Sequence, residues 1–379
     1  MSLEVQKDKG DSNITESSAQ ILKQQHPEVT LLDAKDLSAL SAYLHAQHWL
    51  GAEETLVAAT KAGEGNMNYT LRITATQAKS SSLKRTLILK QARPWVEKYP
   101  QIAAPWGRIL QEATFYKMTA EHPAVAQAMP ELLGIDTLSR VVAFEDLGEA
   151  ADFSSLYRED RSLNPAQLTA LIQWLSTLHG LSWNASQKQM LRNREMRALN
   201  HEHIFALPFR SDDSKGLDLD TITPGLEALA DELRTEVTLV ETIAALGRDY
   251  YLQDGPVLLH GDFFPGSWLD TPQGVRIIDP EFAFFGPAEF DAGVFLAHLI
   301  LAQQSPALIE DFFKTYVAER PVTFSCHVMI QLAGIEILRR LIGIAQLPLS
   351  ASISQKCAWI SIARMMILKP QEYTKGVPS

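Results

Sequence analysis

The sequence predicts an α+β chain in two lobes: a small N-terminal lobe with an antiparallel sheet and a larger, mostly helical C-terminal lobe. Three observations lead there. Short runs rich in branched aliphatics, bounded by Gly, Pro and polar residues, crowd the chain before Gly148: Thr55–Thr60, Thr70–Ile73, Leu87–Lys90 and Val141–Phe144. Beyond Gly148 apolar residues recur at i, i+3 and i+4 instead, as in Pro165–Gly180. The length of 379 residues is enough for two lobes, each with its own core. The expected division is a polar, disordered stretch over residues 1–26, an N-terminal lobe over 27–147 and a C-terminal lobe over 148–379.

Taken in order, residues 30–50 carry helical spacing, with Asp36 in the N-cap region. A strand at 55–60 then leads through Gly63–Tyr69 into a second strand at 70–73. A glycine-rich turn of this kind lets backbone amides approach phosphate oxygens without a Cβ in the way, although Gly-x-Gly-Asn is equally an ordinary hairpin turn. Leu87–Lys90 is a strand ending in a lone cation, and Trp106–Tyr116 reads as a helix carrying Glu112, the candidate partner for Lys90. Trp95 and Trp106 read as packing residues. Val141–Phe144 breaks into Glu145, Asp146, Leu147 and Gly148, where the lobe boundary is placed. In the second lobe Pro165–Gly180 has a proline early and a glycine last, both helix signals, and His179 reads as a packing or hydrogen-bonding histidine. Arg192, Arg194 and Arg197 form a cationic cluster near His201 and His203. His-x-His without further ligands is a weak metal signal, so a solvated or substrate-facing helix is expected there. Residues 224–246 read as one amphipathic helix and 292–303 as an apolar helix burying His298. The last informative helix spans 330–346. It carries adjacent Arg339 and Arg340, expensive to bury unless they meet anions.

The densest chemistry lies between Pro256 and Asp291. Val257–Leu259 and Val275–Ile278 read as the two strands of a hairpin, with Thr271–Gly274 as turn material, and each run delivers an aspartate, Asp262 and Asp279. Phosphoryl transfer needs one Asp to accept the substrate hydroxyl proton and another, after the next strand, to hold the metal that bridges the nucleotide phosphates. Asp262 fits the first role and Asp279 the second. Ser267, five positions past the base, and Glu281 supply further oxygen ligands suited to a hard divalent cation.

The His260-Gly261-Asp262…Gly266-Ser267 motif, Asp279-Pro280-Glu281 and the Phe285–Asp291 tail resemble the small-molecule kinases that share the protein-kinase-like fold. These are of the aminoglycoside phosphotransferase and choline kinase type, and the motifs are most similar to those of 5-methylthioribose kinases. The resemblance runs from about Gly51 to Gln346 and is patchy between Ala151 and Tyr250. It implies a bilobal kinase that binds ATP between its lobes with Mg2+ and transfers the γ-phosphoryl group to a hydroxyl of a small metabolite. It implies nucleotide contacts from Gly63, Gly65, Asn66, Asn68, Lys90 and Glu112, and from the main chain at Glu145, Asp146 and Leu147. It also implies that Arg339 and Arg340 hold the acceptor, and, by analogy, a homodimer. This sequence departs from the family at Phe263-Phe264-Pro265, where more polar residues are usual. The connection from Asp291 to Arg339 is also shorter. Both departures bear on the substrate rather than on the chemistry. The rivals are an aminoglycoside or amino-alcohol phosphotransferase of the same fold and a non-catalytic kinase-like binding protein. Retention of Lys90, Asp262 and Asp279 argues against the second.

Bulk properties narrow the partners. Apolar residues make up 46% of the chain and charged residues 21%, the balance of a soluble globular enzyme. A net charge of −11 argues against nucleic-acid binding. No apolar run long enough to span a bilayer is present and the N-terminus is polar, so neither a membrane span nor a signal peptide is expected. With only Cys326 and Cys357, both expected to fill core space, a reducing, cytoplasmic setting is anticipated.

Overall fold

The computed structural model describes residues 18–63, 67–77, 80–158, 161–211, 217–319 and 324–374. They fall in two compact units: residues 1–121 with 130–148, and residues 122–129 with 149–379. The first unit is therefore not continuous in sequence. Residues 18–25 are helical and Leu22 is buried, while residues 1–17 of the polar N-terminal stretch lie outside the described residues.

In unit 1, helix α1 (Leu37–Ala46) is capped by Asp36, whose carboxylate accepts from Ala39 N at 2.9 Å. The strands are β1 (Glu54–Lys61), β2 (Tyr69–Gln77), β3 (Ser80–Gln91), β4 (Trp95–Val96), β5 (Tyr99–Ala103), β6 (Leu132–Asp136) and β7 (Val141–Glu145). Five of them form an antiparallel sheet in the order β1-β2-β3-β7-β6, while β4 and β5 make a separate ribbon. The period-2 pattern explains the sheet's face. Leu71, Ile73 and Ala75 on β2 and Leu87 and Leu89 on β3 point into one core with Leu40, Leu44 and Trp49. Helix α2 (Arg108–Thr119) follows the ribbon. Trp95 is buried, and Trp106 Nε1 donates to Ala92 O at 3.0 Å, so both tryptophans are packing residues.

Unit 2 opens with α3 (Pro123–Ala126), β8 (Ala151–Asp152) and α4 (Pro165–Gly180). Helix α4 begins at a capping box in which Asn164 and Gln167 exchange side-chain to backbone hydrogen bonds, and it ends where predicted. Then come α5 (Ala185–Met190) and α6 (Arg194–His201). The single helix expected over 224–246 is two, α7 (Leu226–Thr235) and α8 (Val237–Leu246), because Glu236 is extended rather than helical. No Gly or Pro marks this break. Arg364 grips the Glu236 carboxylate with two nitrogens, at 2.5 and 2.6 Å, a tertiary contact that local sequence cannot show.

The expected hairpin also differs. The strands β9 (Val257–Leu259), β10 (Trp268–Thr271), β11 (Gly274–Ile277) and β12 (Phe284–Gly286) pair as β10 with β11 and β9 with β12. Residues 271–274 do form the turn, but the missing partner of β11 is Trp268–Thr271, and Val257–Leu259 pairs farther along the chain. Helices α9 (Ala288–Leu301), α10 (Pro306–Glu319), α11 (Cys326–Ile342) and α12 (Ile353–Leu368) complete the unit. Helix α9 is buried on nearly every face and packs on α11, which packs on α12. Helix α11 stops before Gly343, short of the expected Gln346. Cys326 is half-buried and Cys357 exposed, so neither fills the core.

Candidate active site

In unit 1, Lys90 near the end of β3 donates from Nζ to Glu112 Oε1 on α2 at 2.8 Å, with Glu112 fully buried. The predicted ion pair is present. Four residues earlier on the same helix, Arg108 is also buried. It donates to Asn68 Oδ1 (3.0 Å) and to the carbonyl oxygens of Met67 (2.6 Å), Arg93 (2.7 Å), Pro105 (2.9 Å) and Trp95 (3.3 Å). It therefore ties the end of the glycine-rich turn to the strand after Lys90. Gly63 is left-handed at φ +66°, and Gly65 and Asn66 lie outside the described residues. At the end of β7, Arg72 Nε pairs with Asp146 at 2.8 Å, and the Glu145 carboxylate accepts from Glu131 N at 3.2 Å. Both carboxylates have partners within the protein.

In unit 2 the loop after β9 is built to hold Asp262. Gly261 adopts φ +86°, and a Cβ there would lie 2.2 Å from Phe282 O, so only glycine fits. The fully buried Asp291, in the first turn of α9, accepts from His260 N (2.7 Å) and Gly261 N (2.9 Å). His179 from α4 meets the same carboxylate at 3.2 Å, and Tyr316 OH lies 2.6 Å from the other ring nitrogen. His179 thus has the hydrogen-bonding role expected of it. Phe263 stacks on Trp174 at 5.5 Å and packs against Phe295, anchoring the loop in aromatic core.

The segment carrying Asp279 is stitched to this loop. His260 Nε2 donates to Ile278 O at 2.9 Å, and Ile278 N donates to Ser267 O at 3.0 Å. Asp279 itself sits at φ +64°, a conformation costing a non-glycine residue about 1–3 kcal/mol and typical of functional sites. Asn193, also left-handed, donates from Nδ2 to Glu281 O (2.8 Å) and Ala283 O (3.0 Å), fixing the turn that carries Glu281.

Arg339 and Arg340 are buried, not a surface pair, and both meet anions. Arg340 Nε donates to Glu336 Oε1 at 2.6 Å and Arg339 Nη1 to Glu336 Oε2 at 3.0 Å. Arg340 Nη2 also reaches Asp262 Oδ1 at 3.2 Å, and Arg339 Nη1 lies 3.8 Å from that oxygen. The Arg340 guanidinium covers the Phe264 ring at 4.6 Å, so Phe264, unlike Phe263, forms an apolar wall beside these charges. His298 Nε2 meets Glu336 Oε1 at 3.2 Å, and Tyr157 OH lies 2.6 Å from His298 Nδ1. Burial alone would raise the Glu336 carboxyl, but the Arg339 and Arg340 charges hold it well below the usual carboxylate range. Burial pushes His298 down to about 4, so it is neutral at pH 7.

Ser267, Asp279 and Glu281 offer only oxygen donors. The Ser267 hydroxyl donates its proton to Asp262 O at 2.9 Å, which leaves its lone pairs available. Among the described residues no three His, Cys, Asp or Glu side chains gather as a metal site. A cation there would draw its remaining ligands from phosphate oxygens and water, the habit of Mg2+. The residues fit that ion. His201 and His203 belong to no such cluster. His201 stacks on Phe205 at 5.5 Å, and Arg197 is buried against Asp254.

Asp291, Asn193, Arg108 and Tyr157 were not singled out from sequence as positioning residues, and His298 was read only as buried structure. One signal was available: Asp291 and His298 are seven residues apart on α9, two turns along one face.

A strand-built unit with the Lys90–Glu112 pair, followed in the chain by a helical unit carrying Asp262 and Asp279, is the layout expected of the protein-kinase-like fold. A family model described as the phosphotransferase enzyme family matches residues 59–323, and the chain belongs to that family of small-molecule phosphotransferases. It is similar to a methylthioribose kinase of Geobacillus sp. (strain WCH70), 26% identical over 77% of this chain and 80% of the relative. It is also similar to a methylthioribose kinase of Bacillus thuringiensis (strain Al Hakam), 24% identical over 89% of this chain and 92% of the relative. Among solved structures, Plasmodium vivax ethanolamine kinase superposes with a TM-score of 0.52 at 12% identity, covering 97% of this chain and 95% of that one. A spectinomycin phosphotransferase in complex with ADP and spectinomycin superposes at 0.50 with 14% identity, covering 90% and 100%. These two speak for the fold. No helix of the described residues is long and apolar enough to cross a membrane.

Proposed function

We propose that this protein is an ATP-dependent kinase acting on a hydroxyl of an uncharged, sugar-like metabolite of the methylthioribose type. The observation that carries the acceptor class is the charge balance around Asp262. Asp262 and Glu336 contribute two negative charges, and Arg339 and Arg340 two positive ones. An amino-sugar or amino-alcohol calls for surplus carboxylate, and here both carboxylates are already matched by guanidinium. The curated relatives, methylthioribose kinases, support the same choice.

In this reading Asp262 accepts the acceptor's hydroxyl proton as its oxygen attacks the γ-phosphorus. The new O–P bond forms, the bond from phosphorus to the β–γ bridging oxygen breaks, and ADP leaves. Lys90, oriented by Glu112, pairs with nucleotide phosphates, and the Gly63–Asn68 turn and the main chain at 145–147 hold the rest of the nucleotide. Ser267, Asp279 and Glu281 would hold Mg2+, which when bound would neutralise charge on the phosphates. Arg339 and Arg340, with Glu336 behind them, and the Phe264 wall orient the acceptor. Catalysis is then positioning plus electrostatics. Asp262→Asn should lower kcat by about a thousandfold while ATP binding, followed by thermal shift, persists. Wild-type turnover in that variant would refute the assignment.

A further inference from the structure

Glu336 has a feature that acceptor binding alone does not explain. It takes the shortest bond to each arginine, at 2.6 and 3.0 Å, while the same two guanidiniums stand 3.2 and 3.8 Å from Asp262. Its i, i+3 and i+4 spacing to the arginines on α11 makes this grip a property of the helix. Behind it, the hydrogen-bond chain has one direction. An ionised Glu336 can only accept, so His298 Nε2 carries the proton, and Nδ1 must accept from Tyr157 OH.

We propose that Glu336, fixed by His298 and Tyr157, is a positioning residue that keeps Arg339 and Arg340 from pairing fully with Asp262 and closing it to the acceptor. The inference rests on the reading of Asp262 as the base. Among the described residues Asp262 Oδ2 accepts no hydrogen bond, and Oδ1 is met only by the arginines. Guanidinium and carboxylate pair best through two parallel bonds. With Glu336 neutral, Asp262 becomes the one anion for two cations, and both its oxygens are drawn in. The titratable and charged groups around it are Arg339, Arg340, Glu336, His298, Tyr157 and Tyr251. Burial keeps both tyrosines protonated, and burial keeps His298 neutral. Only the carboxylates and guanidiniums therefore compete.

The test is a double-mutant cycle in the full chain, measuring ADP release with ATP, Mg2+ and 5-methylthioribose. Glu336→Gln should lower kcat about tenfold with the KM for ATP within about twofold. In an Arg340→Gln background the same change should cost less than about threefold, because the competing guanidinium is gone. Equal cost in both backgrounds marks a merely structural carboxylate and overturns the proposal, as does unchanged kcat. If Glu336→Gln does not fold by circular dichroism, Tyr157→Phe removes only the last hydrogen bond. It should lower kcat about threefold at constant KM for ATP, and no loss overturns the idea. Asp262→Asn is run alongside. Retained turnover there sinks the base reading, whereas a dead Asp262→Asn beside a fully active Glu336→Gln sinks this inference alone.

Discussion

Unit 2 contains the same three-residue relay twice, and the two copies serve different clients. Asp291–His179–Tyr316 and Glu336–His298–Tyr157 each place a histidine 3.2 Å from a buried carboxylate and 2.6 Å from a tyrosine hydroxyl. The first carboxylate accepts backbone N–H groups of His260 and Gly261, which cannot leave. The second accepts two guanidiniums, which have Asp262 as another place to go. One relay therefore sets the shape of the loop that carries Asp262, and the other sets where charge lies around it. The chemistry of the relay is shared, and its client decides whether a change is felt as lost stability or as lost turnover.

The sharpest way to break this comparison is Asp291→Asn. An amide cannot accept from both backbone donors and the histidine, so unfolding free energy should fall by about 3–5 kcal/mol, read by urea titration. A loss confined to kcat would make the two relays alike. A smaller effect separates them by pH. The unfolded chain protonates His298 near 6.5, whereas the folded chain does so only near 4, so folding stability is full above 6.5 and falls as pH drops through about 4. His298→Gln should flatten that acid limb, which is worth at most about 3 kcal/mol in the wild-type chain. An unchanged limb would place the acid sensitivity elsewhere. The smallest expected effect is that of Tyr316→Phe. It should cost about 1 kcal/mol of stability and leave kcat within about twofold, in contrast to Tyr157→Phe. Equal kcat losses in the two variants would erase the distinction.

Legibility in the sequence followed the range of the interactions. Helix α4 could be read to its ends because Pro165 signals its start and Gly180 its end locally. The sheet strands were legible because alternation places Leu71, Ile73, Leu87 and Leu89 on one face. The Lys90–Glu112 pair followed from order along the chain. Pairing between distant segments was not legible: β9 finds β12 rather than β11, and the break at Glu236 falls where Arg364 from another helix meets the carboxylate. Tyr157 carries no motif. Its role exists only because the fold brings it to His298. Arg339 and Arg340 were flagged by the cost of burying them. That Glu336 and Asp262 share the arginines needed geometry.

The charge balance around Asp262 is tested most directly by offering the wild-type protein ATP and Mg2+ with paired acceptors that differ only in a hydroxyl or an ammonium group, and measuring acceptor-dependent ADP release. The neutral partner of each pair, 5-methylthioribose foremost, should support turnover at least about tenfold better in kcat/KM. Preference for the ammonium-bearing partner would contradict the account.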